Sequence, residues 1–193
     1  MITTNSSVFH GRTVLVGDSH VGKTSMLNML VEKVFNPLEQ GTVGANYQLF
    51  INDIEGTHVE MQIWDTAGQE KYKSLGPIYY RNSQAAICVY DRTSRESFNN
   101  LPGWIEAFVS VAGIESIIAI VANKADIEDV EVTDEEAREW AQKSGYLFYK
   151  TSAKTGQGID DMFADLVKKV VQKGIAQHRA IKTPTKAKET SCC

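Results

Sequence analysis

Gly17-Asp18-Ser19-His20-Val21-Gly22-Lys23-Thr24 is the stretch whose reading decides the fold. It follows the apolar run Thr13-Val14-Leu15-Val16 and opens a segment of helical period that continues to Val31. A glycine-bracketed turn from a buried strand into a helix is suited to holding phosphate. Backbone N–H groups close around the oxygens at a helix end that already carries positive partial charge. In that reading Ser19, His20, Val21, Gly22 and Ser25 surround the phosphates, Lys23 adds a point charge at their β/γ end, and the Thr24 hydroxyl is offered to Mg²⁺. A turn that merely contains glycines is the bland alternative, and the strand before it and the helix after it argue against that. The loop itself says nucleotide without saying which.

Working outward, short β-branched runs alternate with longer amphipathic segments, which predicts an α/β fold with a mostly parallel sheet. Strands are expected at Arg12–Val16, Ala45–Ile51, Val59–Trp64, Ala85–Tyr90, Ile117–Ala122 and Tyr146–Lys150. The second and third join through Asp53-Ile54-Glu55-Gly56, a loop short enough to make them an antiparallel hairpin. Helices are expected at Gly22–Val31, Ser94–Val111, Thr133–Lys143 and Ile159–Gln172, with Thr133 and Glu136 at capping-box spacing. After Lys173 the pattern changes: Arg179, Lys182, Lys186 and Lys188 face the single acid Glu189 with no apolar period. The expected organisation is therefore a short extension over 1–9, one domain over 10–173, and an unstructured tail over 174–193 that ends in Cys192-Cys193.

Composition narrows the partners. With 193 residues and 42% hydrophobic content the chain can bury one good core. A formal net charge of -4 gives no basic footprint for nucleic acid. The 3 cysteines cannot build a disulfide framework, which fits a reducing setting. Met1 to Ser7 lacks the basic and apolar parts of a secretion signal, and position 2 is Ile rather than Gly, so neither secretion nor myristoylation is expected.

Two further motifs stand just past expected strands: Asn123-Lys124-Ala125-Asp126 and Thr151-Ser152-Ala153-Lys154. Strand carboxyl ends are where doubly wound sheets bind ligands, so both face the phosphate loop. An ionised Asp126 only accepts hydrogen bonds, so it suits the N1–H and N2 amino donors of guanine. Adenine would set a lone pair against the carboxylate. A buried acceptor left unpaired by the wrong base discriminates strongly. The Ala153 N–H is then expected at guanine O6.

With Asp65-Thr66-Ala67-Gly68-Gln69-Glu70 between these motifs, the chain resembles the Ras superfamily of small GTPases over nearly its whole length. Gly44-Ala45-Asn46-Tyr47, Trp64, Tyr79-Tyr80-Arg81-Asn82 and the terminal Cys192-Cys193 resemble the Rab branch, and Gln84 to Asp91 is similar to endosomal Rabs. The resemblance implies the G domain of P-loop NTPases: six strands, one antiparallel, with helices on both faces. It implies bound GTP or GDP with Mg²⁺, Phe35 on the guanine, and a base site of Asn123, Lys124, Asp126, Ser152, Ala153 and Lys154. It places Thr42 beside Thr24 on the metal, Asp65 on the metal through water, Gly68 at the γ-phosphate, and Gln69 as the catalytic residue that orients the attacking water. His20 and Lys71 depart from the family pattern, which usually has a small residue and Arg there.

The resemblance implies a slow GTP hydrolase acting as a monomeric switch in vesicle trafficking. Its expected partners are an exchange factor, an activating protein, effectors, and prenyl-binding escort and dissociation-inhibitor proteins. Geranylgeranyl groups on Cys192 and Cys193 would hold it on the cytoplasmic face of internal membranes, endosomes among them, cycling with the cytosol. Two rivals stand beside this: a nucleotide-bound scaffold without useful hydrolysis, opposed by the joint presence of Thr42, Asp65 and Gln69, and an ATP-using kinase or transport subunit, opposed by Asp126.

Overall fold

A computed structural model describes residues 8–69 and 75–182, the last six of these by backbone alone. Glu70, Lys71 and the Cys192-Cys193 pair lie outside the described residues. In chain order the elements are β1 (Val8–Val16), α1 (Lys23–Val31), β2 (Ala45–Ile54), β3 (Thr57–Thr66), α2 (Gly76–Tyr80), β4 (Ala85–Asp91), α3 (Arg95–Asn99), α4 (Leu101–Ala112), β5 (Ile117–Asn123), α5 (Asp134–Lys143), β6 (Leu147–Lys150) and α6 (Ile159–Lys182).

The strands form one sheet in the order β2-β3-β1-β4-β5-β6. Among the described residues only the β2–β3 pairing is antiparallel. Its turn is Glu55-Gly56, both at positive φ (50° and 78°), the twist that a tight hairpin requires. Side chains alternate across the sheet, so β1 sends Leu15 to one face and Val14 and Val16 to the other. On the first face Leu15, Ile63, Ile87 and Val121 pack with Met26 and Leu30 of α1 and Phe163, Leu166 and Val170 of α6. On the second, Val14, Val16, Cys88, Tyr90 and Ile120 pack with Trp104 and Phe108 of α4 and Ala137 and Ala141 of α5. Helices therefore cover both faces, and β4 is buried along its whole length.

Most element boundaries shift by a residue or more from the sequence reading, and some differences are larger. The helix expected over Ser94–Val111 is two, broken at Asn100. Pro102 lacks an N–H and its ring opposes the carbonyl of Phe98, so it starts a new helix rather than continuing the old one. The short α2, absent from the sequence expectation, likewise has Pro77 in its first turn. β1 begins at Val8 rather than Arg12 because its pairing with β3 runs on through Gly11, which interrupts the apolar pattern and lies against the Met61 side chain. Finally α6 runs past Gln172 to Lys182. Residues 175–182 contain no proline or glycine to break the helix. α1 starts after Gly22, whose φ of 95° makes it the left-handed cap.

Candidate nucleotide site

β1 and β4 stand side by side although β3 flanks β1 on its other edge, so successive connections leave in opposite directions and open a crevice at the strand carboxyl ends. There a cleft of about 430 Å³ is lined by Ser19, His20, Gly22, Lys23, Thr24, Ser25, Phe35, Thr42, Gly68, Asn123, Lys124, Asp126, Ala153 and Lys154. Asn36, Pro37, Glu39, Gln40 and Ile127 line it too. They belong to no motif, so nothing in the sequence singles them out. Val21 and Ser152 lie buried behind its wall. Gln69 is half-buried, its side-chain amide facing Gly41.

Lys23 is buried and donates to the carbonyls of Gly17 at 2.8 Å and Asp18 at 2.7 Å, holding the loop closed around itself. Burial pushes its ammonium down to about 8, against smaller opposing pulls from Asp65 and Asp18. An anion entering the cleft would meet a lysine that has lost most of its hydration. Gly68 abuts this group so closely that any Cβ would run into the Asp18 backbone and the Lys23 ammonium. Asp18 is itself fixed by α4 and the residue before it, accepting from Trp104 Nε1 and Asn100 Nδ2, each at 2.7 Å.

Beside Lys23, three oxygens converge. Thr24 Oγ1 donates to Asp65 Oδ2 at 2.6 Å, and Thr42 Oγ1 lies 2.8 Å from Thr24 Oγ1 and 3.2 Å from Asp65 Oδ2. The other carboxylate oxygen, Asp65 Oδ1, is buried with no partner. Burial raises the Asp65 carboxyl above its usual range, with Thr24, Lys23 and Thr42 opposing. An orphaned carboxylate oxygen next to two hydroxyls is a hard oxygen set that fits Mg²⁺ completed by water and phosphate. Among the described residues there is no group of three or more His, Cys, Asp or Glu that could hold a metal. A cation at this point would depend on hydroxyls and on what the ligand supplies.

At the far end of the cleft, Asp126 Oδ1 accepts from the Ser152 hydroxyl at 2.6 Å and Lys154 Nζ stands 3.7 Å from Oδ2. Burial would raise this carboxyl, but the Ser152 hydroxyl, the Asp126 backbone N–H and Lys154 together hold it below the ordinary range, so it is an ionised acceptor at neutral pH. Lys124, at φ 65°, pairs with Asp91 at 2.5 Å.

Asn123 does something else. It is fully buried, donates to Val21 O at 2.8 Å, and accepts from Ala153 N at 3.1 Å and Thr151 Oγ1 at 3.3 Å. It binds the phosphate loop to the two loops of the base end and touches the base pocket only with its edge. The Ala153 N–H, expected at guanine O6, is directed at Asn123 Oδ1, so any O6 contact shares that proton between two acceptors.

The chain matches the family model described as Ras family over residues 12–172. It is 40% identical to the Ras-related protein Rab-18 of Caenorhabditis elegans over 162 residues, 83% of this chain and 80% of that one. To the Ras-related protein Rab5 of Nicotiana tabacum it is 37% identical over 190 residues, 95% of both chains. To the Ras-related protein Rab-21 of Bos taurus it is 39% identical over 170 residues, 88% of this chain and 77% of that one.

Proposed function

The chain belongs to the Ras family, in its Rab branch, and from that premise we propose how its own residues bind and hydrolyse GTP. It is a small GTPase, a switch in vesicle trafficking that works with regulators and effectors. The observation that carries the residue assignment is the convergence of Thr24, Thr42 and Asp65 beside buried Lys23, with ionised Asp126 at the other end of the same cleft.

In this reading Asp126 accepts the N1 and N2 protons of guanine, Ser152 and Lys154 hold it in place, and Phe35 covers the base. The loop N–H groups from Ser19 to Thr24 and Lys23 take the phosphates. Thr24, Thr42 and Asp65 would hold Mg²⁺, Asp65 through water. The chemistry a bound Mg²⁺ supplies is withdrawal of charge from the β- and γ-phosphate oxygens. Gln69 orients the attacking water, and the Gly68 N–H meets the γ-phosphate, so the protein contributes position and electrostatics rather than a covalent intermediate. Loss of the γ-phosphate frees Thr42 and Gly68 and with them both switch segments.

Effectors would read the surface those segments share with the β2–β3 hairpin. Val43, Tyr47, Leu49, Ile51 and Ile78 are exposed there, and Tyr47, Trp64 and Tyr79 form a continuous aromatic contact with centroids 5.1 and 5.6 Å apart. An exchange factor and an activating protein complete the cycle, and escort and dissociation-inhibitor proteins shield the tail. Among the described residues no helix is long and apolar enough to cross a membrane. Attachment to the cytoplasmic face of internal membranes, including endosomes, would rest on isoprenoid groups at Cys192 and Cys193. The test is to denature the purified protein, identify the released nucleotide, and follow one turnover of GTP with and without Mg²⁺. Released guanine nucleotide and Mg²⁺-dependent GDP formation are expected. Released adenine nucleotide would overturn the base site.

A further inference from the structure

Three residues of the phosphate loop have positive φ: Gly17 at 137°, His20 at 64° and Gly22 at 95°. Two are glycine, for which that conformation carries no steric penalty, and the third carries an imidazole. A left-handed residue with a side chain is strained by about 1 kcal/mol or more, and such outliers gather at functional sites. His20 is exposed and stands on the ridge between two clefts. One is the nucleotide cleft. The other, of about 520 Å³, lies between the phosphate loop and α3.

The charged groups facing this ridge come from both sides. The second cleft offers Asp18, Asp91 and Glu96. Asp18 is already taken by Trp104 and Asn100, and Asp91 by Lys124 and Thr93. The nucleotide cleft offers Lys23, Glu39, Lys124, Asp126 and Lys154. Among the described residues none takes a hydrogen bond or ion pair from the His20 imidazole. A donor without a protein acceptor therefore stands at the mouth of a cleft whose ligand is a polyanion.

We propose that His20 is a phosphate-contacting residue. Its ring N–H donates to a phosphate oxygen of the bound nucleotide and, when protonated, adds a second positive charge beside Lys23. The inference rests on the guanine-nucleotide reading and goes beyond it, because it makes retention of the nucleotide depend on pH. Histidines change charge between about pH 5 and 8. A charged imidazolium holds a polyphosphate more tightly than a neutral imidazole does, so the extra retention belongs to the charged ring.

The experiment follows release of a fluorescent GDP analogue into excess GDP, at fixed Mg²⁺, from about pH 6 to about pH 8. Replacing a charged hydrogen bond by a neutral one should raise the wild-type off-rate about fivefold across that range. His20→Asn tolerates the left-handed backbone and does not titrate, and His20→Gly fits it without strain. Both should release faster than wild type at the acid end, and the ratio of variant to wild-type off-rate should fall towards one at the alkaline end. Lys23 is present in all three proteins, so its own titration cancels. Variants that keep the wild-type pH profile, or wild-type off-rates throughout, would overturn the assignment. Failure of all three to hold the analogue would overturn the guanine-nucleotide reading instead.

Discussion

Lys23 should take up a proton when nucleotide binds, and its burial sets how much. Moving an ammonium from 10.5 to about 8 corresponds to a cost of about 3 kcal/mol. The sign depends on which state holds the proton. Below about pH 8 the folded, nucleotide-free protein carries the whole cost of a buried charge, and stability rises as pH climbs from there towards 10.5, where the unfolded chain still holds the proton and the folded one does not. Phosphates in contact with Lys23 restore the charged form. Through Lys23 alone, binding should then take up about 0.1 proton at pH 7, about 0.5 at pH 8 and about 0.9 at pH 9. Titration calorimetry of GDP into nucleotide-free protein, at saturating Mg²⁺ and in two buffers of different ionisation enthalpy, measures this directly. GDP is the ligand of choice because its phosphates are fully ionised at the two higher values. Zero uptake at the most alkaline point, or release of protons there, would refute the claim that burial governs this lysine.

Other perturbations probe the remaining parts of the site. Gln69→Leu should keep GTP affinity and lose activator-stimulated hydrolysis about a hundredfold or more; unchanged turnover would remove Gln69 from the mechanism. Asp126→Asn should weaken GTP and favour xanthosine triphosphate, because an amide offers a donor where xanthine presents a carbonyl; competition binding with both nucleotides decides it. Asn123→Ala abandons partners on both sides of the cleft and should lower stability by about 3 kcal/mol, read as a shifted denaturation midpoint, whereas a midpoint within error of wild type would show that Asn123 does not brace the loops. Replacing Cys192 and Cys193 together by Ser should move the protein to the soluble fraction with nucleotide binding intact; a double variant that still sediments with membranes would count against lipid attachment.

Legibility in the sequence differs from residue to residue. Lys23, Thr24 and Asp126 sit in short motifs directly after apolar strands, and local chemistry suffices to name their use. Thr42 lies in a segment without periodicity, and only the family spacing brings it forward. The structure then places its hydroxyl 2.8 Å from that of Thr24. Asn123 reads in the sequence as a base residue, yet its hydrogen bonds go to Val21, Thr151 and Ala153, and no local pattern encodes contacts between residues so far apart in the chain. The clamp on Asp18 from Asn100 and Trp104 is hidden for the same reason. The break at Asn100 and the turn at Gly76–Tyr80 are signalled by Pro102 and Pro77, since proline at a helix start is a signal with a steric cause. The full length of α6 is obscured because its last turns leave no apolar stripe to follow.

Asn123 also bears on how tightly one small molecule can be held. A nucleotide offers two handles, a base and a polyphosphate, and the protein offers two receptors for them. Each handle alone pays separately for its lost freedom, whereas joined they bind as one, with an effective concentration set by how well the distance between receptors matches the distance between handles. The Asn123 side chain fixes that distance, by bonds of 2.8 Å to the phosphate loop and 3.1 Å to the base loop. A protein slackened there would still meet guanosine and pyrophosphate separately about as well as before. It would forfeit the surplus affinity that comes only from holding both ends at once.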